Sequence, residues 1–134
     1  MGFNREGGFV RYQLPAILWA LLIFASSSVP GWVFPRVSIP NIDKIVHFAY
    51  YFIFAILVAI ALRHQTRFRD LSKFSLMMSF LLATAYGVSD EVHQLFVAGR
   101  TSDPHDLIAD MAGALIAVGV LAIVRWKSNS QPPA

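Results

Sequence analysis

Four apolar stretches, separated by short polar ones, account for most of this chain. No side chain from Tyr12 to Pro35 is charged. A helix needs about 20 residues to cross the hydrocarbon core of a bilayer, so the first predicted helix covers residues 9–29. Pro15 is tolerated in its first turn, where no intrahelical partner is lost, and Trp19 lies deep enough to pack rather than anchor at an interface. Residues 28–41 contain Pro30, Pro35, Pro40 and Gly31, which predicts an extended loop with Trp32 and Phe34 at headgroup depth. The second helix is expected over residues 42–62, with Asn41 or Asp43 as its N-cap. The basic segment RHQTRFRDLSK follows. A third helix is predicted over residues 71–97. Its apolar part, 74–88, is short for a bilayer, so the helix is expected to continue through Ser89, Asp90, Glu91, His93 and Gln94 and hold that charged turn at the bilayer edge. Gly99 suits its C-terminal cap. The fourth helix, residues 103–126, has Ser102 or Asp103 as its cap, Pro104 in its first position and Arg125-Trp126-Lys127 as an interfacial end. The expectation is an all-α fold: a four-helix transmembrane bundle in one domain, residues 1–127, with a loose polar leader and a disordered tail at 128–134.

Composition supports a membrane setting. Of 134 residues, 56% are hydrophobic and 14% charged, where soluble domains carry roughly 25% charged residues. The net charge is +3. In a chain of this type that reflects basic loops, and nucleic acid is not an expected partner. There is no cysteine, which excludes disulfide and thiolate chemistry. The first segment also has the shape of a signal peptide, with a basic start, an apolar middle and small residues at 25–28.

Loop charge orients the bundle. Arg5, Arg11, Arg63, Arg67, Arg69, Lys73, Arg125 and Lys127 fall on one side, and Arg36, Lys44 and Arg100 on the other. The positive-inside rule puts both termini in the cytoplasm. Asp43 and His47, the run from Ser89 to Gln94, Asp106 and Asp110, and the serines 26–28 then all reach the extracytoplasmic end.

That convergence is the candidate site. Asp43 and His47 share a helix face at i,i+4, as do Asp106 and Asp110, followed by Gly113 and Ala117. Small residues at this spacing let helices approach closely in lipid, and Gly87 fits the same role. Asp90 and His93, and Glu91 and Gln94, stand three apart. Several chemistries fit these residue types. A structural network would have Arg100 paired with Asp106 or Asp90. An anionic headgroup site would use Arg100 and Lys44. A divalent metal site would draw on Asp43, His47, Glu91, His93 and Asp106, although no HExxH-type motif is present. Acid–base chemistry on a lipid phosphate would use His47, Glu91 or His93 with a carboxylate. A serine nucleophile at Ser89 is disfavoured, because Ser89 and Asp90 cannot both face His93 on one helix. His64 belongs to the basic loop as a solvated group, and Phe48, Phe52 and Phe54 are packing residues.

The runs DKIVHFAYYFIFAIL and SDEVHQLFVAGRTSDPHDLIADMAGALIAVG, with the serine cluster 26–28, resemble the VanZ-like family of small bacterial integral membrane proteins over residues 20–120. The motif positions are Asp43, Lys44, His47, Ser89, Asp90, Glu91, His93, Gln94, Gly99, Arg100, Asp106, Asp110 and Gly113. Asp110 stands where the family often has Asn, which adds a formal charge. The resemblance implies the bacterial cytoplasmic membrane and a cell-envelope role, linked through the family's namesake to resistance to the glycopeptide teicoplanin. It brings no established reaction or cofactor, and nothing supports the phosphotransbutyrylase label that some members carry. The expected ligand site is Asp43, Lys44, His47, Asp90, Glu91, His93, Gln94, Arg100, Asp106 and Asp110. Arg100 is its anion contact, and His47 and His93 are its proton-responsive groups. The expected partners are the lipid bilayer and a lipid-linked envelope precursor or an anionic lipid headgroup.

Overall fold

The computed structural model describes residues 8–33 and 40–129, with side chains through Arg125. The polar leader, Phe34, Arg36, the Trp126 and Lys127 side chains and the tail beyond Asn129 lie outside that range. Among the described residues all regular structure is helical. A π-helical turn, Phe9–Gln13, leads into α1 (Leu14–Ser27), and a 3-10 turn, Gly31–Val33, follows. Then come α2 (Ile42–His64), α3 (Arg69–Lys73), α4 (Ser75–Gln94) and α5 (Pro104–Asn129).

The helices alternate in direction. At one end Gln13, before α1, donates to the Ala61 carbonyl near the end of α2 at 3.2 Å. At the same end Arg125 of α5 donates to Ser75 Oγ at the start of α4 at 3.1 Å. At the other end Lys44 of α2 meets Asp106 of α5. Thus α1 and α4 run one way, and α2 and α5 the other. The three helices α2, α4 and α5 form the core, and α1 packs against α2 and α4. Trp19 faces inward as expected, donating from Nε1 to the Tyr50 carbonyl at 3.0 Å, and Tyr86 ties α4 to α1 through the Ala20 carbonyl at 2.7 Å.

The closest approach is between α2 and α5. A Cβ added at Gly113 would stand 2.3 Å from the Phe48 carbonyl oxygen, so the two backbones touch where any side chain would hold them apart. Ala114 and Ala117 are fully buried beside it. In lipid such contact is driven by packing of small surfaces, since apolar burial brings no gain over the acyl chains.

Apolar side chains cover the outside of the molecule, and polar ones are buried beside the apolar core. On α4, Ser75, Ser79, Asp90, Glu91 and Gln94 are buried, while Met77, Leu81, Leu82, Val88 and Val92 are exposed. On α1, Ile17, Leu18, Leu21, Leu22 and Phe24 face outward. Water would penalise that arrangement and hydrocarbon favours it. Three helical stretches are long and apolar enough to cross a membrane: Phe9–Ser27, Ile42–His64 and Pro104–Arg125. Helix α4 has 20 residues but falls short in hydropathy, because its last turns carry the charged residues.

Element ends depart from expectation in three places. The helix expected over 71–97 is broken at Phe74 (φ −97°, ψ 24°), where its amide closes on the Asp70 carbonyl and α3 stops. It also ends earlier, at Gln94. Phe96 and Val97 donate to the carbonyls of His93 and Gln94, a 3-10 tightening that satisfies the last carbonyls. Gly99 (φ +72°) therefore lies in the turn beyond, not at the cap. Finally, Asn41 takes the N-cap of α2 at φ 58° without a side-chain capping bond, and Asp43 turns instead to Lys44.

Candidate functional site

At the start of α2, Lys44 Nζ lies 2.9 Å from Asp43 Oδ2, 3.0 Å from Asp103 Oδ2 and 3.1 Å from Asp106 Oδ1. One ammonium, with three donors, serves three carboxylates from two helices and the loop before α5. Asp103 also caps α5. Its Oδ1 accepts from the His105 amide at 2.9 Å and bonds the His105 ring Nδ1 at 2.8 Å. The His105 amide, then the Lys44 ammonium, hold its carboxyl well below the ordinary carboxylate range. Pro104 opens α5 as the sequence predicts.

One turn further along α2, His47 Nδ1 lies 3.0 Å from Asp110 Oδ1. With Asp110 as acceptor the hydrogen sits on Nδ1, and in the neutral ring Nε2 keeps its lone pair. Nε2 stands 4.0 Å from Asp106 Oδ2. Asp110 is fully buried, and α4 reaches it through Gly87, where a Cβ would stand 3.0 Å from Oδ2.

The end of α4 supplies the third wall. Glu91 is 6% exposed. Its Oε2 accepts from Ser102 Oγ and from the Asp103 amide, both at 3.0 Å, while Oε1 is buried without a partner. Asp90 accepts from Gln94 at 3.3 Å within the helix. Arg100, in the loop before α5, donates to the carbonyls of Val29 at 3.1 Å and Ser26 at 2.9 Å. These lie at the C-terminal end of α1, whose last carbonyls lack helical partners. Arg100 thereby fastens the end of α1 to this site.

A cavity of about 540 Å³ opens between these walls. Asp43, His47, Asp90, Gln94, Arg100 and Asp106 line it, together with Ser26, Ser27, Tyr51 and Thr101. The hydroxyls of Ser27 and Tyr51 are buried and have no hydrogen-bond partner. Lys44, Glu91 and Asp110 lie behind the lining and hold it. His93 departs from expectation: its Nε2 lies 2.9 Å from Ser28 Oγ and its ring packs on Phe24, with centroids 4.7 Å apart. Three residues on from Asp90, it sits about 60° round the helix, enough to turn it toward α1 and away from His47. Ser89 donates to the Tyr86 carbonyl of its own helix and is exposed.

Tyr51 and Ser102 were not foreseen as site residues, and Asp103 was foreseen only as a cap. Tyr51 follows His47 by four residues, so the i,i+4 rule that paired Asp43 with His47 also reaches it. Ser102 and Asp103 carry no such signal, because the loop conformation alone brings them to Glu91.

Two groups of three side chains offer ligand atoms within 4.8 Å of one another: His47, Glu91 and Asp106, and Asp43, Asp103 and Asp106. The second group already holds the Lys44 ammonium.

A helical bundle with apolar outer faces and three helices long and apolar enough to cross a membrane, its buried ionisable side chains gathered at one end, defines a small integral membrane protein. The chain matches the VanZ/LLP1 family model over residues 11–125 and belongs to that family. Comparison with curated proteins gives no significant match, and neither does comparison with solved structures.

Proposed function

We propose that this VanZ-family protein acts in the cell envelope, with its cavity open to the extracytoplasmic side of the bacterial cytoplasmic membrane, where it takes the polar head of an anionic lipid or lipid-linked cell-wall precursor. In this reading α4 is a fourth span, carried across by packing against α2 and α5, and both termini are cytoplasmic. The observation that carries the proposal is the cavity. Its volume lies in the range of ligand pockets, roughly 300–1,000 Å³, and two of its lining residues, Ser27 and Tyr51, have buried hydroxyls without partners. Buried polar atoms are rarely left so unless something else bonds to them. The Arg100 guanidinium, Thr101 and these hydroxyls are donors suited to phosphate oxygens. Tolerance of a glycopeptide directed at cell-wall precursors would follow from handling such a headgroup.

Tyr51→Phe tests this cleanly, since the hydroxyl holds nothing in the unliganded protein. Its thermal unfolding in detergent should match or exceed that of the parent. Its affinity for phosphatidylglycerol or a prenyl-diphosphate lipid, read by thermal shift, should fall about three- to tenfold, the value of one hydrogen bond. Unchanged affinity for every anionic lipid tried, or none in the parent, would sink the reading. A cysteine placed at the exposed Ala98 should react with impermeant reagent in intact cells.

A second reading rests on the His47–Asp110 pair. A histidine held by a carboxylate, whose Nε2 is free of protons in the neutral ring, is the arrangement of a general base. If the protein is an enzyme acting on a lipid phosphate, His47→Ala abolishes turnover while lipid binding survives. If the polar cluster serves only to hold the helices or a partner protein, neither lipid binding nor turnover is found.

A further inference from the structure

We propose that His47, Glu91 and Asp106 form a binding site for a divalent transition-metal ion of the Zn²⁺ or Mn²⁺ class. The three come from α2, α4 and α5. Each has one atom tied and one left over. His47 Nδ1 is held by Asp110 at 3.0 Å, leaving Nε2. Asp106 Oδ1 is held by Lys44 at 3.1 Å, leaving Oδ2. Glu91 Oε2 is held by Ser102 and the Asp103 amide, leaving Oε1, which is buried without a partner in a residue 6% exposed.

A carboxylate with one buried oxygen unbonded is costly unless a cation or donor meets it. His47 and Asp106 bring two further ligand atoms close to the Glu91 carboxylate. Atoms around a tetrahedral ion stand about 3.4 Å apart when metal–ligand distances are about 2.0–2.1 Å. One atom from each of the three residues lies within 4.8 Å of the others, and His47 Nε2 and Asp106 Oδ2 are 4.0 Å apart. An ion would draw His47 Nε2 and Asp106 Oδ2 together by roughly half an ångström, and a pair at the outer limit by more than one.

The outer shell has the form that metal sites use. A ligating histidine normally donates its other ring N–H to a carboxylate, which fixes the ring and raises its basicity. Asp110 does this for His47. The hydroxyl and amide on Glu91 and the ammonium on Asp106 orient the two carboxylates in the same way. One nitrogen and two carboxylate oxygens suit an ion of intermediate softness, and the fourth position faces the cavity that His47 and Asp106 line. The ion would also offset the acidic excess of this end, where Asp43, Asp90, Glu91, Asp103, Asp106 and Asp110 gather around Lys44 and Arg100.

The test uses the full chain, without a polyhistidine tag, stripped with chelator in detergent and titrated with Zn²⁺, Mn²⁺ and Co²⁺. One equivalent should bind, with a rise in unfolding temperature, and Co²⁺ should give a d–d absorption band. Glu91→Gln and His47→Ala should each weaken binding at least tenfold, Asp110→Asn about tenfold through the outer shell, and Asp43→Asn much less than Asp110→Asn, since Asp43 reaches Asp106 only through Lys44. No saturable binding to the parent protein overturns the proposal, as does binding that survives both ligand substitutions. If either substitution prevents folding, the Asp43→Asn and Asp110→Asn pair decides: equal loss in both points to the Lys44 cluster and overturns the assignment. Lipid titrations run with chelator present keep this outcome separate from the headgroup reading.

Discussion

The two ends of the bundle are both charged, and they are built differently. At the acidic end, side chains bond across helices: α2 to α5 through Lys44 and His47, α4 to the loop before α5 through Glu91, and that loop to α1 through Arg100. At the basic end, Arg63, Arg69 and Lys73 are exposed, and the bonds are mostly local. Ser72 donates to the Arg63 carbonyl, Gln65 pairs with Phe68, and the Lys73 and Arg67 cations lie over the neighbouring rings of Phe74 and Phe68. Arg125 to Ser75 and Gln13 to Ala61 are cross-element exceptions. Charge that bonds locally is replaceable, and its value to the protein is its sign and its side of the membrane. Charge that bonds across four helices fixes a geometry, which is what a ligand site requires.

This contrast can be broken by experiment. The largest effect is expected from Lys44→Met. It leaves Asp103 and Asp106 without their shared cation, and Asp106 is buried. Breaking a buried pair costs about 3–5 kcal/mol. With a quarter of the Lys44 side chain exposed, about 2 kcal/mol is expected, measured by denaturant or thermal unfolding in detergent. A loss no greater than that of a basic-end lysine would erase the distinction between the ends.

Asp103→Asn is the intermediate case. Asparagine caps helices nearly as well as aspartate, so the cap survives and the Lys44 contact weakens, a smaller loss than that of Lys44→Met. The pH dependence sharpens it. The folded carboxyl has a lowered pKa. Its contribution is therefore present above the unfolded value, near pH 4, and is lost as pH falls through the folded value. The parent should lose that increment on acidification below pH 4 and Asp103→Asn should not, when their stabilities are compared from pH 7 down to pH 2.

The smallest effect belongs to the basic end. Arg69→Ala or Lys73→Ala should change stability by less than about 0.5 kcal/mol. Neutralising Arg63, Arg67, Arg69 and Lys73 together should instead disturb orientation, read as altered reactivity of a cysteine at Ala98 in intact cells.

Much of this was legible in the chain, for local reasons. Asp103-Pro104 reads as the start of α5, and Asp106, Asp110, Gly113 and Ala117 read as one face, because caps and i,i+4 spacing depend only on near neighbours. The Lys44 cluster was not legible. Its partners Asp103 and Asp106 lie 59 and 62 residues away, and nothing in the local pattern distinguishes Lys44 from an interfacial lysine. His93 went the other way: its spacing from Asp90 suggested a pair, but the i,i+4 partner Gln94 takes Asp90, and Ser28 takes His93. The break at Phe74 was hidden as well, because neither glycine nor proline marks it.

Gly113 has one more consequence. It carries no charge and touches no candidate ligand, yet it sits less than one turn from Asp110, at the point where the α2 and α5 backbones meet. That meeting point works as a spacer of zero thickness. It sets how far His47 stands from Asp110 before either side chain chooses a rotamer. Any side chain at Gly113 would act like a shim between the two helices, widening the gap at the site above it. Substitutions there should therefore mimic the loss of His47 or Asp110, and a genetic screen for function would return a glycine among the acids and histidines.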